Sequence, residues 1–203
     1  MTRQPASALP SSTTLSSLYG RSVTTSLCKC GRRWECMECR RYWVDRLKRS
    51  NGPWLRDAMG NDGLAWFVTL TIPTKREWFS ELPQLFDRWS KLGKQRSQQR
   101  FRGTQNGLGS IRRGIAALHL VNKAGLYQPH LHGVVVSNPT MDTQSLIDAW
   151  NRMGPGFVEI ELARKKAAVE GYSIAGPLPS DESERKAIAS LLKGIKVIRR
   201  IGK

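Results

Sequence analysis

GIAALHLVNKAGLYQPHLHGVVV, residues 114 to 136, decides how the rest of the chain is read. GIAALHLV (114–121) and HLHGVVV (130–136) are rich in aliphatic and β-branched residues and flank a turn around Lys123, Ala124 and Gly125, so the stretch reads as a hairpin. The chain has three histidines, and all of them, His119, His130 and His132, fall inside it. Alternation along a strand points His130 and His132 to one side and Leu131 to the other. In an antiparallel pair the numbers of opposed residues add to a constant, so a turn centred at 124 to 125 sets position 119 opposite position 130. The three imidazoles then meet and suit a divalent metal. The alternative is three core histidines, each needing its own hydrogen-bond partner, and a register one residue off would turn His119 to the other face.

Working outward, LAWFVTLTI (64–72) is a strand stopped by Pro73. Trp78, Phe79, Leu82, Leu85, Phe86, Trp89 and Leu92 then recur at spacings of three and four, an amphipathic helix that Pro83 sets to begin about one turn late. Residues 94–113 read as a polar, Gly- and Arg-rich connector. A helix through Leu146, Ile147, Trp150 and Met153 leads to a strand, FVEIEL (157–162), and a last helix starts near Ser180 and runs through Ile188, Leu191 and Leu192. GPWLRDAMGNDG (52–63) reads as a turn. Strand, helix, strand, strand, helix, strand is the split β-α-β order of ferredoxin- and RRM-like α+β folds, an antiparallel sheet with helices on one face. There is no internal repeat.

All four cysteines lie in CKCGRRWECMEC (28–39), a CxC and a CxxC joined by five residues. Two closely spaced pairs across a Gly-containing turn can bring four thiolates to one point, which predicts a structural zinc site of Cys28, Cys30, Cys36 and Cys39. Reduced thiols, disulfides and an iron–sulfur cluster are the alternatives. Disulfides fit poorly if the protein works in a reducing, intracellular compartment. RRYWVDRLKR (40–49) follows directly as a basic helix.

Thirty-three Lys and Arg against 16 Asp and Glu give a formal charge of +17. That predicts a polyanionic partner, nucleic acid first, with Arg40, Arg41, Arg46, Arg100, Arg102, Arg112 and Arg113 as the phosphate-contacting candidates. No run of about 18 apolar residues exists to span a bilayer, so the chain reads as soluble. Residues 1–27 hold 12 Ser or Thr and no acid. They read as a disordered arm, although such composition also suits an organelle transit peptide. The expected organisation is an arm (1–27), a four-cysteine module with its basic helix (28–60), and a main domain (61–203).

FVTLTIP (67–73) followed by PHLHGVVV (129–136), in this element order, resembles the HUH endonucleases, the rolling-circle replication initiators of plasmids and single-stranded DNA phages. The likeness covers about residues 64–203, and the C-x-x-C-R-x-x-W run from Cys36 to Trp43 resembles the cysteine-containing front end of some initiators. The resemblance implies that His130, His132 and His119 hold Mn or Mg beside origin single-stranded or hairpin DNA, in the cytoplasm of a bacterial or phage-infected cell and with host replication proteins as further partners. It also implies transesterification: a tyrosine attacks a backbone phosphorus, leaving a 5′-phosphotyrosine link and a free 3′-hydroxyl. The family's YxxK helix meets a departure here. In IASLLKGIK the position of the tyrosine is taken by Ser190, with Lys193 as the lysine, and Tyr172 is the nearest tyrosine in sequence. Serine is shorter and less acidic than a phenol and a poor nucleophile without a base. The competing expectation is a noncatalytic, basic, zinc-containing nucleic-acid-binding protein.

Overall fold

The computed structural model describes residues 28, 30–73, 77–123, 126–163, 176 and 178–202. The arm, the tip of the hairpin and Tyr172 lie outside the described residues. The protein is α+β. Its strands β1 (Leu64–Thr71), β2 (Ile111–Lys123), β3 (Leu126–Ser137), β4 (Phe157–Leu162) and β5 (Ile198–Ile201) form one sheet in the order β4-β1-β3-β2-β5, every neighbouring pair antiparallel. The hairpin is longer at both ends than its apolar runs suggest. Its register is the expected one: His119 stands opposite His130, and the pairing slips only between Ile111 and Arg113. Gly133 permits the tight approach of β3 to β2, since a Cβ there would lie 2.2 Å from the Ile115 carbonyl oxygen.

Helices cover both faces of the sheet, not one. On one face α2 (Leu82–Phe101), α3 (Thr143–Asn151) and α4 (Glu182–Leu191) bury Leu85, Trp89, Leu146, Trp150 and Ile188 against Val68, Leu70, Leu118, Leu131 and Val135. On the other, Leu55, Ala58 and Met59 of α1 (Met37–Met59) pack on Ala65, Ile115, Ala117, Val134 and Val136. The turn expected over 52–63 is therefore mostly helix, with Pro53 inside it and the stop deferred to Gly60 at φ 52°. Burying Leu55 and Met59 contributes about 1.5–3 kcal/mol each, which offsets the roughly 3 kcal/mol that an interior proline costs.

The connector expected over 94–113 is also corrected. The apolar stripe of α2 ends at Leu92, but Lys, Gln and Arg are good helix formers, and the helix continues to Phe101. Arg96 secures this extension by donating from Nε to the Ile111 carbonyl at 2.8 Å and from Nη2 to that of Arg112 at 2.6 Å. Pro83 sits in the first turn of α2, where its missing N–H has no helical partner to lose. Asp181 caps α4 by accepting from the Glu184 N–H at 2.8 Å.

Candidate metal centres

His119, His130 and His132 lie on the α1 face of the sheet, beyond the end of its small apolar core. Pairing puts them there. Ala117 is opposite His132 and Thr69 is opposite His132 from the other side, while Thr71 and His119 flank His130. The rings gather closely: centroids of His119 and His132 are 4.8 Å apart, those of His119 and His130 5.5 Å, and one ring nitrogen from each residue lies within 4.8 Å of the others. Ligands about 2.1 Å from a metal stand roughly 3.0–3.4 Å from one another, so modest ring rotation would close the three nitrogens around an ion. His132 Nδ1 is 3.0 Å from Thr69 Oγ1, and His130 Nδ1 lies 3.4 Å from the Gln128 carbonyl. Such contacts orient metal-binding imidazoles and fix their tautomer. Burial, with the charge of His130 adding to it, holds His132 below the usual imidazole range, which favours the neutral form a metal requires.

Space and carboxylate are at hand. A cavity of about 430 Å³ adjoins His130 and is lined by Thr71, Pro73, Gln128 and Phe157, the last 60% exposed. Thr69 is opposite Glu159 as well as His132, which sets Glu159 on the histidine face, two strands and about 10 Å across from His132. No carboxylate adjoins HLH in sequence, so Glu159 escapes a motif reading. The alternating acids of FVEIEL were the available signal, once that strand is paired with FVTLTIP.

The four cysteines also converge. Their sulfurs lie within 4.8 Å of one another, Cys30 Sγ and Cys39 Sγ being 3.4 Å apart. That exceeds a disulfide bond of about 2.05 Å and approaches the roughly 3.8 Å edge of a tetrahedral zinc–thiolate site. All four are free thiols. The Arg32 backbone N–H, with the neighbouring thiols of Cys28 and Cys39, holds Cys30 down to about 6, which favours the thiolate a metal requires. Cys36 is the N-cap of α1, where the helix dipole favours the negative charge of a thiolate cluster.

The candidate phosphate contacts divide. Arg41, Arg46, Arg100 and Arg102 are exposed. Arg40 is not a surface contact: it is 6% exposed and lies between the rings of Trp34 and Trp43, 4.4 and 4.9 Å from their centroids. Arg112 makes a two-pronged ion pair with Asp62 and donates to the Ala58 and Met59 carbonyls. Arg113 pairs with Asp57 and donates to the Trp54 carbonyl. These two tie the end of α1 to β2, so their charge is already met within the fold. Ser190 and Lys193, at and just past the end of α4, are exposed, and α4 is anchored by Ile188 and Leu192 in the core of the face opposite the histidines. Tyr127 packs on that same core, where burial, with the Glu184 carboxylate nearby, pushes its phenol up to about 12.

Each cluster could hold a metal ion, one through three imidazoles and the other through four soft thiolates of the kind zinc takes. Comparison with protein-family models, curated proteins and solved structures found no match to this chain, so its chemistry is argued from these two clusters.

Proposed function

We propose that the protein is a metal-dependent DNA strand-nicking and rejoining enzyme of the HUH type, acting on single-stranded origin DNA as a replication initiator. The observation that carries this reading is the meeting of three histidines across paired strands, on a sheet whose order β4-β1-β3-β2 sets β3 between β1 and β2 as the split β-α-β arrangement requires. A divalent metal held by His119, His130 and His132 would polarise the scissile phosphate and offset the charge that grows on it. Thr69 and the Gln128 carbonyl orient the rings, and exposed Phe157 beside the cavity gives an unpaired base a surface to stack on. The attacking hydroxyl bonds to phosphorus as the 3′ oxygen leaves and takes up a proton, so the 5′ phosphate becomes linked to the protein. Ser190 and Tyr172 are the candidates for that hydroxyl; Tyr172 stands four positions before Gly176, a residue that abuts His119.

The exposed position of Ser190 and Lys193, on a helix rooted in the opposite face, favours a second reading in which the protein binds nucleic acid without cutting it. One experiment separates them. The chain is incubated with Mn2+ and labelled single-stranded or hairpin DNA and resolved on a denaturing gel, where a covalent adduct runs as a shifted band. Weak or no cleavage by the unmodified chain, with adduct gained in Ser190→Tyr and lost again on adding His130→Ala or His132→Ala, supports nicking through the α4 position. Efficient cleavage removed by Tyr172→Phe moves the nucleophile to Tyr172. No adduct from any variant, with metal bound, leaves the binding-only reading.

A further inference from the structure

Arg40 is buried and stacked between two indoles, and its guanidinium donates from Nη2 to the carbonyl of Gly176 at 2.6 Å. Its Nη1 is buried and unmet among those residues. A desolvated guanidinium with half its fork unused is costly to keep. Burial and the neighbouring charge of Arg33 pull it down only to about 10, so it stays a cation. It is also the residue after Cys39 in the sequence, and its backbone N–H donates to the Cys36 carbonyl at 2.9 Å, so its place is set by the cysteine cluster.

What it grips lies against the other cluster. Gly176 is buried, and a Cβ built on it would stand 2.8 Å from Cγ and 3.1 Å from Cδ2 of His119, so its bare Cα is what lets the backbone rest on that ring. The same segment is held a second time. Arg185 of α4 donates from Nε to the carbonyl of Glu35, inside the cysteine loop, at 2.9 Å, and from Nη1 to the carbonyls of Pro179 and Ser180. The route from thiolates to imidazole is thus continuous: Cys36 and Cys39 set the first turn of α1, that turn sets Arg40, Arg40 sets Gly176, and Gly176 limits the tilt of His119.

We propose that Arg40 is a positioning residue that couples the four-cysteine module to the histidine centre, so that metal in the cysteine site raises the affinity of the histidines for theirs. This rests on the reading that the histidines bind a divalent metal. Reciprocity requires the coupling to act in both directions.

Mn2+ binding by the full chain, followed by the electron paramagnetic resonance of the free ion, tests it, with zinc content and thermal midpoint measured on the same samples. Arg40→Ala should keep its zinc and weaken Mn2+ binding at least tenfold. Gly176→Ala changes no residue of the cysteine module and should weaken Mn2+ to a similar degree, which keeps the test open if Arg40→Ala does not fold. In a His119→Ala background the Arg40→Ala change should have little further effect, because the two act through one contact; Arg40→Lys, which keeps charge but not the fork, should rescue only in part. Unchanged Mn2+ affinity in zinc-loaded Arg40→Ala and Gly176→Ala, or effects that simply add to those of His119→Ala, would overturn the coupling while leaving the histidine site standing. A wild-type chain that takes up no Mn2+ at all, or whose uptake is unaffected by His130→Ala with His132→Ala, would remove the histidine reading itself and the coupling with it.

Discussion

Cys28, Cys30, Cys36 and Cys39 are gathered by a loop and one helix turn within residues 28–39, whereas His119, His130 and His132 meet only because two strands, β2 and β3, pair in one register. The first cluster sits on a short loop whose packing comes mainly from Trp34 and Trp43, so a metal at its thiols would supply much of what holds the loop together. The second stands on a sheet buried by helices on both sides, so its scaffold exists before any ion arrives. Metal at the cysteines should therefore be part of folding, and metal at the histidines part of function.

The largest expected effect follows from that contrast. Apparent binding energies of structural zinc are about 10–16 kcal/mol, far above what a short loop can supply by packing. Cys36→Ser with Cys39→Ser, or removal of metal by a chelator, should cost the protein about one zinc, and amides in the first turns of α1 should exchange rapidly with solvent. Amides of β2 and β3 should remain protected. Elemental analysis and hydrogen exchange check this together, and if β2 and β3 lose protection to the same extent, the sheet does not stand on its own and the comparison fails.

A smaller effect separates the arginines of the two regions. Arg41 and Arg46 project from the basic helix after the cysteines and are exposed, so each can meet a phosphate. Single-strand binding changes its salt slope by about 0.7 per phosphate contact. Arg41→Ala and Arg46→Ala should each weaken binding and flatten the slope by about that amount, read from fluorescence titrations at several salt concentrations. Arg112→Ala should leave the slope alone and lower the thermal midpoint instead, since it strips hydrogen bonds from the Ala58 and Met59 carbonyls at a cost of about 1–3 kcal/mol. A slope that responds equally to Arg41 and Arg112 would mean that the ion pair with Asp62 opens to DNA.

The same division explains what could be read from the chain alone. The hairpin register was legible because strict alternation and a short glycine-containing turn leave few ways to pair His119 with His130. The cysteine site was legible because its ligands are neighbours in sequence. Helix ends were less so. Residues 52–59 carry a glycine and a proline and read as a turn, yet the face they bury, Leu55, Ala58 and Met59, lies mostly against β2 and β3, far along the chain, information no local window holds. The last strand, Ile198–Ile201, is only four residues, too short to stand out in the sequence, and takes its form from pairing with β2. Charge was the least legible: Arg40, Arg112 and Arg113 look like surface cations, and only their partners, Gly176, Asp62 and Asp57, show them to be internal ties.

The smallest expected effect is the pH dependence of the histidine scaffold, and it tests whether that scaffold is preformed. His132 is held below its ordinary value of 6.5, first by burial and then by the charge of His130. A histidine that binds its proton less well folded than unfolded contributes stability that is complete above the unfolded pKa and declines as pH falls from there toward the folded one. Zinc-loaded protein, free of other metal, should therefore melt in urea at a constant midpoint from pH 8 to about 6.5 and at lower urea below that, with a slope no steeper than about 1.4 kcal/mol per pH unit for one proton. His132→Gln keeps a polar side chain beside Thr69 but removes the titration, so its curve should be flatter over the same window. Added Mn2+ should stabilise the wild type most above pH 6.5 and progressively less below it, because proton and metal compete for one imidazole. An acid limb of equal slope in His132→Gln would show that other groups set the pH response. The ring would then acquire its metal-ready state only with the ion, and the two clusters would be alike in depending on metal for their form.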